Sequence, residues 1–252
     1  MLEFLKKRFR PEPAPFPDAW KAVLDRSLPW ARGLDTAGRM RLEGLVRAFL
    51  KKKRFEGCAG LFVTDEMRVT IAGQACFLLV GRGNGGLYPV LRTVLLYPDA
   101  FVSPAVEHLE DGPIVSEELD ERAGESWSFG TVILSWADVL EGVESPNDGY
   151  NPVFHEFAHQ LDLESGAEEG MPGLPDRSAA EAWRRVMTRE YNSVAARGDR
   201  VLDEYAGTSP AEFFAVGTET FFERPAALKR LHPEMYGLLR DYYGQDPSRA
   251  RV

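Results

Sequence analysis

Histidine, cysteine and long apolar runs are all scarce in this chain of 252 residues, which carries four His and two Cys. The two thiols, Cys58 and Cys76, are too few for a disulfide framework or a thiolate zinc cluster, and that shortage fits a reducing cytosol. No run approaches the ~18 apolar residues of a membrane span. The N-terminal stretch MLEFLKKRFRPEPAPFPDAW lacks the long apolar region of a signal peptide, and no Asn-x-Ser/Thr acceptor occurs. Positive charge is in deficit too. With 30 Lys and Arg against 39 Asp and Glu the net charge is −9, which argues against nucleic acid or anionic membrane as the main partner. The two basic runs, Lys6-Lys7-Arg8-Phe9-Arg10 and Lys51-Lys52-Lys53-Arg54, are read as solvated faces. These absences predict a soluble, cytoplasmic protein.

What is present suits a sizeable core: 44% hydrophobic residues, with 15 Phe and 5 Trp. A Pro-rich lead-in over 1–18 precedes one domain over 19–252, mainly helical to 86, strand-containing over 87–136 and helical from 147. Leu42, Leu45, Val46, Phe49 and Leu50 fall at helical spacing after Asp35, predicting a helix over 36–53. Residues 64–81 read as a buried helix whose end could be a strand. LYPVLRTVLLYP (87–98) and GTVILSW (130–136) read as strands. His108 lies in an acidic, irregular stretch and reads as a surface-loop histidine. Helices are predicted after Pro152, over 178–197 and 209–223, and to the end. Strands early and helices late make the class α+β. Gly81-Arg82-Gly83-Asn84-Gly85-Gly86 spells a dinucleotide loop, but a strand follows it instead of a helix, so it reads as a connector.

Two of the four histidines stand in NPVFHEFAHQLDLESG, residues 151–166. On a helix, His155 and His159 project from one face and can reach one metal ion. Glu156 points beside that ion, placed to take a proton from water. Val153, Phe157 and Leu161 form the apolar opposite face, Pro152 suits the first turn and Gly166 the stop. The spelling predicts zinc. An extended metzincin pattern would put Gly at 162 and His at 165, where this chain has Asp and Ser. His232, before Pro233, is a poor third ligand. A glutamate on a downstream helix is the other solution, with an open fourth position. DEYAGTSPAEFFAVGTETFFERP (203–225) offers Glu212, Glu219 and Glu223. Ser209 and Pro210 suit a helix start, placing Glu212 in the first turn and Glu219 along the same face; spacing alone does not choose between them. Asp162 reads either as a hydrogen-bond partner of a ligand imidazole or as an exposed polar residue.

NPVFHEFAHQLD followed by YAGTSPAEFFAVGTETFFERP resembles the Mlc titration factor A family of gluzincin peptidases. The second block also resembles the metal-binding helix of the anthrax lethal factor protease domain, where a tyrosine precedes the ligand glutamate by seven residues, as Tyr205 precedes Glu212. ESWSFGTVILSW (125–136) belongs to the same likeness, which covers most of the chain from about residue 36. The resemblance implies a zincin-like fold with a small sheet and a helix-rich C-terminal half. It further implies Zn2+ held by His155, His159 and Glu212, Glu156 as general base, Tyr205 as donor to a developing oxyanion, and Glu219 in a supporting role. It implies modest, aminopeptidase-like cleavage of peptide or protein substrates. It also implies, for some members, binding of the glucose-responsive transcriptional repressor Mlc. Strand 130–136 is expected to border the cleft and pair with an extended substrate.

Overall fold

The computed structural model describes residues 15–83, 86–99, 106–109, 112–115, 130–166 and 169–249. Helix α1 (Asp18–Ser27) leads through a 3₁₀ turn at Pro29–Gly33 to α2 (Thr36–Lys52). Asp35 caps α2 by accepting from Gly38 N at 2.7 Å, and Leu42, Val46 and Phe49 form its buried stripe. Strand β1 (Arg54–Gly57) follows at once. Helix α3 (Asp65–Phe77) opens at Thr64, whose hydroxyl accepts from Met67 N, and is buried throughout from Val69 to Phe77. Strand β2 (Thr93–Tyr97), the antiparallel hairpin of β3 (Val106–Leu109) and β4 (Gly112–Val115), strand β5 (Thr131–Ser135) and helix α4 (Trp136–Glu144) complete the first half.

The main sheet runs β1-β2-β5, all parallel, with Phe55 opposite Val94 and Val94 opposite Val132. Val94, Leu96, Val132 and Leu134 point to its buried face. The second half is helical: α5 (Pro152–Asp162), α6 (Arg177–Arg197), α7 (Pro210–Glu223), α8 (Pro225–Leu231) and α9 (Pro233–Tyr243). Proline opens four of these five, where its missing N–H leaves no intrahelical bond unmade. The architecture is α+β, with a small parallel sheet and a helix-rich C-terminal half.

One aromatic core joins the halves. Phe154 of α5 forms a cluster with Phe77 of α3 and Phe222 of α7, with ring centroids 6.3 and 5.3 Å away and those two 5.4 Å from each other. Phe157, one turn on, meets Phe49 of α2 at 5.7 Å and Tyr88 at 4.9 Å. Helix α7 is buried from Phe213 to Glu223, so its polar residues are partnered internally; Thr218 Oγ1 bonds Phe214 O and the Tyr243 hydroxyl. The apolar side of α5 is thus gripped from both directions, and its histidine face is fixed in orientation.

Several expectations are corrected. Only Thr93–Tyr97 of the stretch 87–98 is strand. Tyr88 has φ of +48°, and its carbonyl and that of Leu91 accept from Lys53 Nζ at 2.6 Å each, so this backbone is committed elsewhere. Lys53 is itself buried, which removes it from the solvated basic run; the run Lys6–Arg10 lies outside the described residues. The stretch 64–81 is helical only to Phe77 and then turns, without forming a strand. There Gly81 meets Gly244 backbone to backbone; a Cβ on either would collide with the other's carbonyl oxygen. The first glycine of the phosphate-loop spelling therefore serves a chain crossing. His108 sits in β3, opposite Pro113, rather than in a loop. Strand β1 and helices α1 and α4 were not individually legible.

Candidate metal centre

Asn151 starts α5: its side chain accepts from Phe154 N at 2.9 Å, and Pro152 takes the first helical position. With Val153, Phe157 and Leu161 in the core, His155 and His159 are left together at the surface of the helix, ring centroids 4.9 Å apart. Their Nε2 atoms are 3.2 Å apart. Helix α7 begins in the same way, with Ser209 Oγ accepting from Glu212 N at 3.2 Å. Ser-x-x-Glu also spells a capping box, in which Glu212 would bend back to its own helix start. Here the carboxylate meets the imidazoles instead: Glu212 Oε2 lies 2.9 Å from His155 Nε2 and 3.4 Å from His159 Nε2.

Three donor atoms thus form a triangle with edges of 2.9, 3.2 and 3.4 Å. Ligands about 2.0–2.1 Å from a tetrahedral zinc stand about 3.3 Å from one another, so the triangle has the size of one face of such a site. Glu212 Oε2 is buried without an aligned hydrogen bond, an orphaned acceptor facing two ring nitrogens. Two imidazoles and a carboxylate are a zinc-type donor set, and the residues fit the ion. Among the described residues this is the one group of three or more His, Cys, Asp or Glu side chains with ligand atoms within 4.8 Å of one another.

Glu219, two turns along α7, occupies a different position. Its Oε1 is 2.8 Å from His155 Nδ1 and its Oε2 accepts from Asn151 N at 2.5 Å. The carboxylate orients the His155 ring and holds the N-cap at once. One turn further, Glu223 Oε2 accepts from Gly149 N at 2.9 Å. A ladder of Glu212, Glu219 and Glu223 therefore anchors the start of α5 to α7.

The electrostatics favour a cation. Burial disfavours charge on His155, yet the carboxylates of Glu212 and Glu219 override it and push its pKa up to about 10. His159 is raised in the same sense, burial again opposing and Glu212 prevailing. For Glu212 burial acts upward, but the two imidazoles hold it down at about 2. Carboxylates that favour a proton on an imidazole favour a metal ion in its place, and metal binding at these ligands displaces protons. Burial raises Glu219, and it pushes Glu223 up to about 8.

Glu156 is half-buried beside His155, close enough for its charge to act on His155, His159 and Tyr205. Tyr205 lies on the 3₁₀ turn Glu204–Gly207, held by Asp203 accepting from its N–H at 2.9 Å. It is 50% exposed, with its ring 6.0 Å from that of His155, so it is no core tyrosine. Partial burial and the carboxylates of Glu212 and Glu156 raise its phenol pKa. A second exposed phenol, Tyr150, was missed in the sequence: burial and the charges of Asp138, Glu219, Glu141 and Glu156 push it up to about 12. It stands two positions before Pro152, where nothing but proximity to the motif marked it.

Asp162 is fully buried and accepts from Gly170 N at 2.6 Å, which overturns the reading of an exposed polar residue. Gly170 O in turn accepts from Trp183 Nε1 at 2.8 Å, so Asp162 ties the end of α5 to α6. His232 is flanked by Glu190 at 3.0 Å and Asp199 at 3.1 Å, and neither belongs to the metal centre.

Comparison with known proteins decides the class. Residues 3–244 match the family described as glucose-regulated metallo-peptidase M90. The chain belongs to this family. An uncharacterized Synechocystis protein, slr2042, is 42% identical over 238 residues, covering 92% of this chain and 86% of the relative. Mlc titration factor A of Pectobacterium atrosepticum is 32% identical over 235 residues, covering 90% and 86%. Mlc titration factor A of Yersinia pestis is 29% identical over 254 residues, covering 98% and 91%. An M90 metallopeptidase requires a metal, and the triangle of His155, His159 and Glu212 is the candidate place for it in this chain.

Proposed function

We propose that this chain is a zinc-dependent peptidase of the gluzincin kind, with His155, His159 and Glu212 as ligands. The observation that supports this most is the triangle of His155 Nε2, His159 Nε2 and Glu212 Oε2. When bound there, zinc supplies Lewis acidity, polarising the scissile carbonyl and lowering the pKa of water beside it. Glu156 takes a proton from the attacking water and returns it to the leaving amine. The Tyr205 hydroxyl donates a hydrogen bond to the oxyanion that develops as the carbonyl is attacked. Glu219 keeps the proton of His155 on Nδ1, so that Nε2 presents its lone pair. Among the described residues β5 pairs with β2 alone, which leaves its other edge for an extended peptide. A bound peptide analogue contacting other backbone would remove that last element.

The proposed action is aminopeptidase-like, and Glu156→Gln tests the mechanism. Hydrolysis of a small peptide substrate should fall by about 10²-fold or more while bound zinc stays near one per chain. Hydrolysis at the wild-type rate in that variant would sink the role of Glu156.

A second reading rests on the relatives named Mlc titration factor A at 29–32% identity. In it, the chain binds a transcriptional repressor of the Mlc type. The two readings are compatible and separable: Glu156→Gln should abolish hydrolysis and leave repressor binding intact.

A further inference from the structure

The basic run at the end of α2 does not end as a uniformly solvated face. Lys53 is buried against the carbonyls of Tyr88 and Leu91, whereas Lys51 borders a cleft between α1, α2 and α3. The cleft has a volume of about 280 Å³ and is lined by Trp20, Arg47, Leu50, Lys51, Asp65 and Arg68. It shares no residue with the metal centre.

Neighbouring arginines on the same helices are matched by carboxylates: Arg26 by Glu66 at 2.5 Å and Arg39 by Asp25 at 2.7 Å. The cations of the cleft are not. Among the described residues no carboxylate lies within ion-pair distance of Arg47 or Lys51, and Arg68 reaches Asp65 only at 3.8 Å. Arg68 Nε is buried without a hydrogen-bond partner. Both guanidinium groups are nonetheless held in place, Arg47 over the Phe16 ring at 5.5 Å and Arg68 over the Phe55 ring at 5.6 Å. Contact with a ring uses none of a guanidinium's N–H donors. Trp20 is fixed edge-to-face against Phe16 at 5.7 Å.

Three cations against one carboxylate form a local anion site in a chain whose net charge of −9 would otherwise repel anions. Two arginines suit a phosphate, which accepts paired N–H bonds, and the lysine adds a point charge. Trp20 and Leu50 supply apolar surface for a flat ring, and Asp65 is an acceptor for a sugar hydroxyl. The volume is near the small end of the roughly 300–1,000 Å³ range of ligand sites, too small for a folded partner. We propose that this cleft binds a small organic phosphate with a flat ring, of the nucleoside monophosphate class, independently of the metal centre.

Calorimetric titration of the full chain with adenosine monophosphate, inorganic phosphate and adenosine tests this. Adenosine monophosphate should bind saturably at one per chain, with phosphate alone and adenosine each at least about tenfold weaker. Lys51→Glu, at an exposed position, and Arg47→Ala, checked for an unchanged melting temperature, should each weaken binding about tenfold or more without altering zinc content or hydrolysis. Chelator-treated protein should bind equally well. The proposal is overturned if binding does not saturate at millimolar concentrations or if both variants bind like wild type. Phosphate binding as tight as the nucleotide's would remove the ring, and loss on chelation would move the ligand to the metal centre; either result also overturns it.

Discussion

Tyr205 and Glu223 show how differently two side chains around one site are held. Tyr205 is half-exposed, its ring beside that of His155 and its phenol hydrogen-bonded to the Glu212 carboxylate. If Tyr205 has the proposed oxyanion role, Tyr205→Phe should lower kcat by roughly 10- to 10³-fold with little change in KM, because such a bond is made to charge that exists only in the transition state. Steady-state kinetics on one peptide substrate separate the two constants; a change confined to KM would contradict the assignment. Glu223 is buried, and its carboxyl keeps its proton to about pH 8, whereas an unfolded glutamate loses it near pH 4.5. Between those values the folded state binds more protons, so this group's contribution to stability is full below about 4.5 and is lost as pH rises toward 8. Glu223→Gln keeps an acceptor for Gly149 N. Urea unfolding at pH 5 and pH 8 should show a decline in stability smaller than that of wild type by at least about 1 kcal/mol. Of these side chains, Tyr205 was legible by its spacing to Glu212 within a resemblance. Glu223 was legible only as one of three glutamates, because burial and its bond to Gly149 depend on α7 lying against the start of α5.

At the level of elements, the helices that carry the site could be read because their starts are written locally. Asn151-Pro152 and Ser209-Pro210 are each a cap followed by a residue preset for the first turn, and the structure begins α5 and α7 there. Strands were less legible. LYPVLRTVLLYP has β-forming residues throughout, but Lys53 takes two of its carbonyls and Tyr88 its positive φ, and neither constraint is visible along the segment itself. The choice between Glu212 and Glu219 was likewise undecided by spacing. It depends on which turn of α7 faces His155 Nε2 and which faces Nδ1, a matter of how two helices cross. Gly170, tied to the end of α5 through Asp162, packs on the first turn of α7: its φ is +71° and its missing Cβ makes room for Pro210 O. Gly170→Ala should destabilise the fold by roughly 2–4 kcal/mol. It should also weaken metal binding, because the displaced turn carries Glu212. A melting temperature and zinc affinity equal to wild type would show that the crossing is held elsewhere.

Over the whole molecule, sequence and structure divide the work unevenly. Four histidines and no cysteine cluster left few ways to complete a metal site around the His155–His159 pair, and His232 before Pro233 was a poor third ligand, which pointed to a carboxylate. The α+β order was visible in the placement of strands before helices. What a linear reading could not supply was the aromatic core of Phe49, Phe77, Phe154, Phe157 and Phe222, which draws α2, α3, α5 and α7 together from distant parts of the chain. That core turns the histidine face of α5 toward the first turn of α7 and makes one site of two separate blocks. The central claim is that Glu212 is the third ligand and Glu219 the group that orients His155. Zinc per chain, measured by elemental analysis on purified wild type, Glu212→Ala and Glu219→Ala, tests it most directly. About one zinc is expected in wild type, almost none in Glu212→Ala, and zinc retained in Glu219→Ala with affinity reduced roughly 10- to 100-fold. Zinc retained in Glu212→Ala and lost only from Glu219→Ala would contradict it.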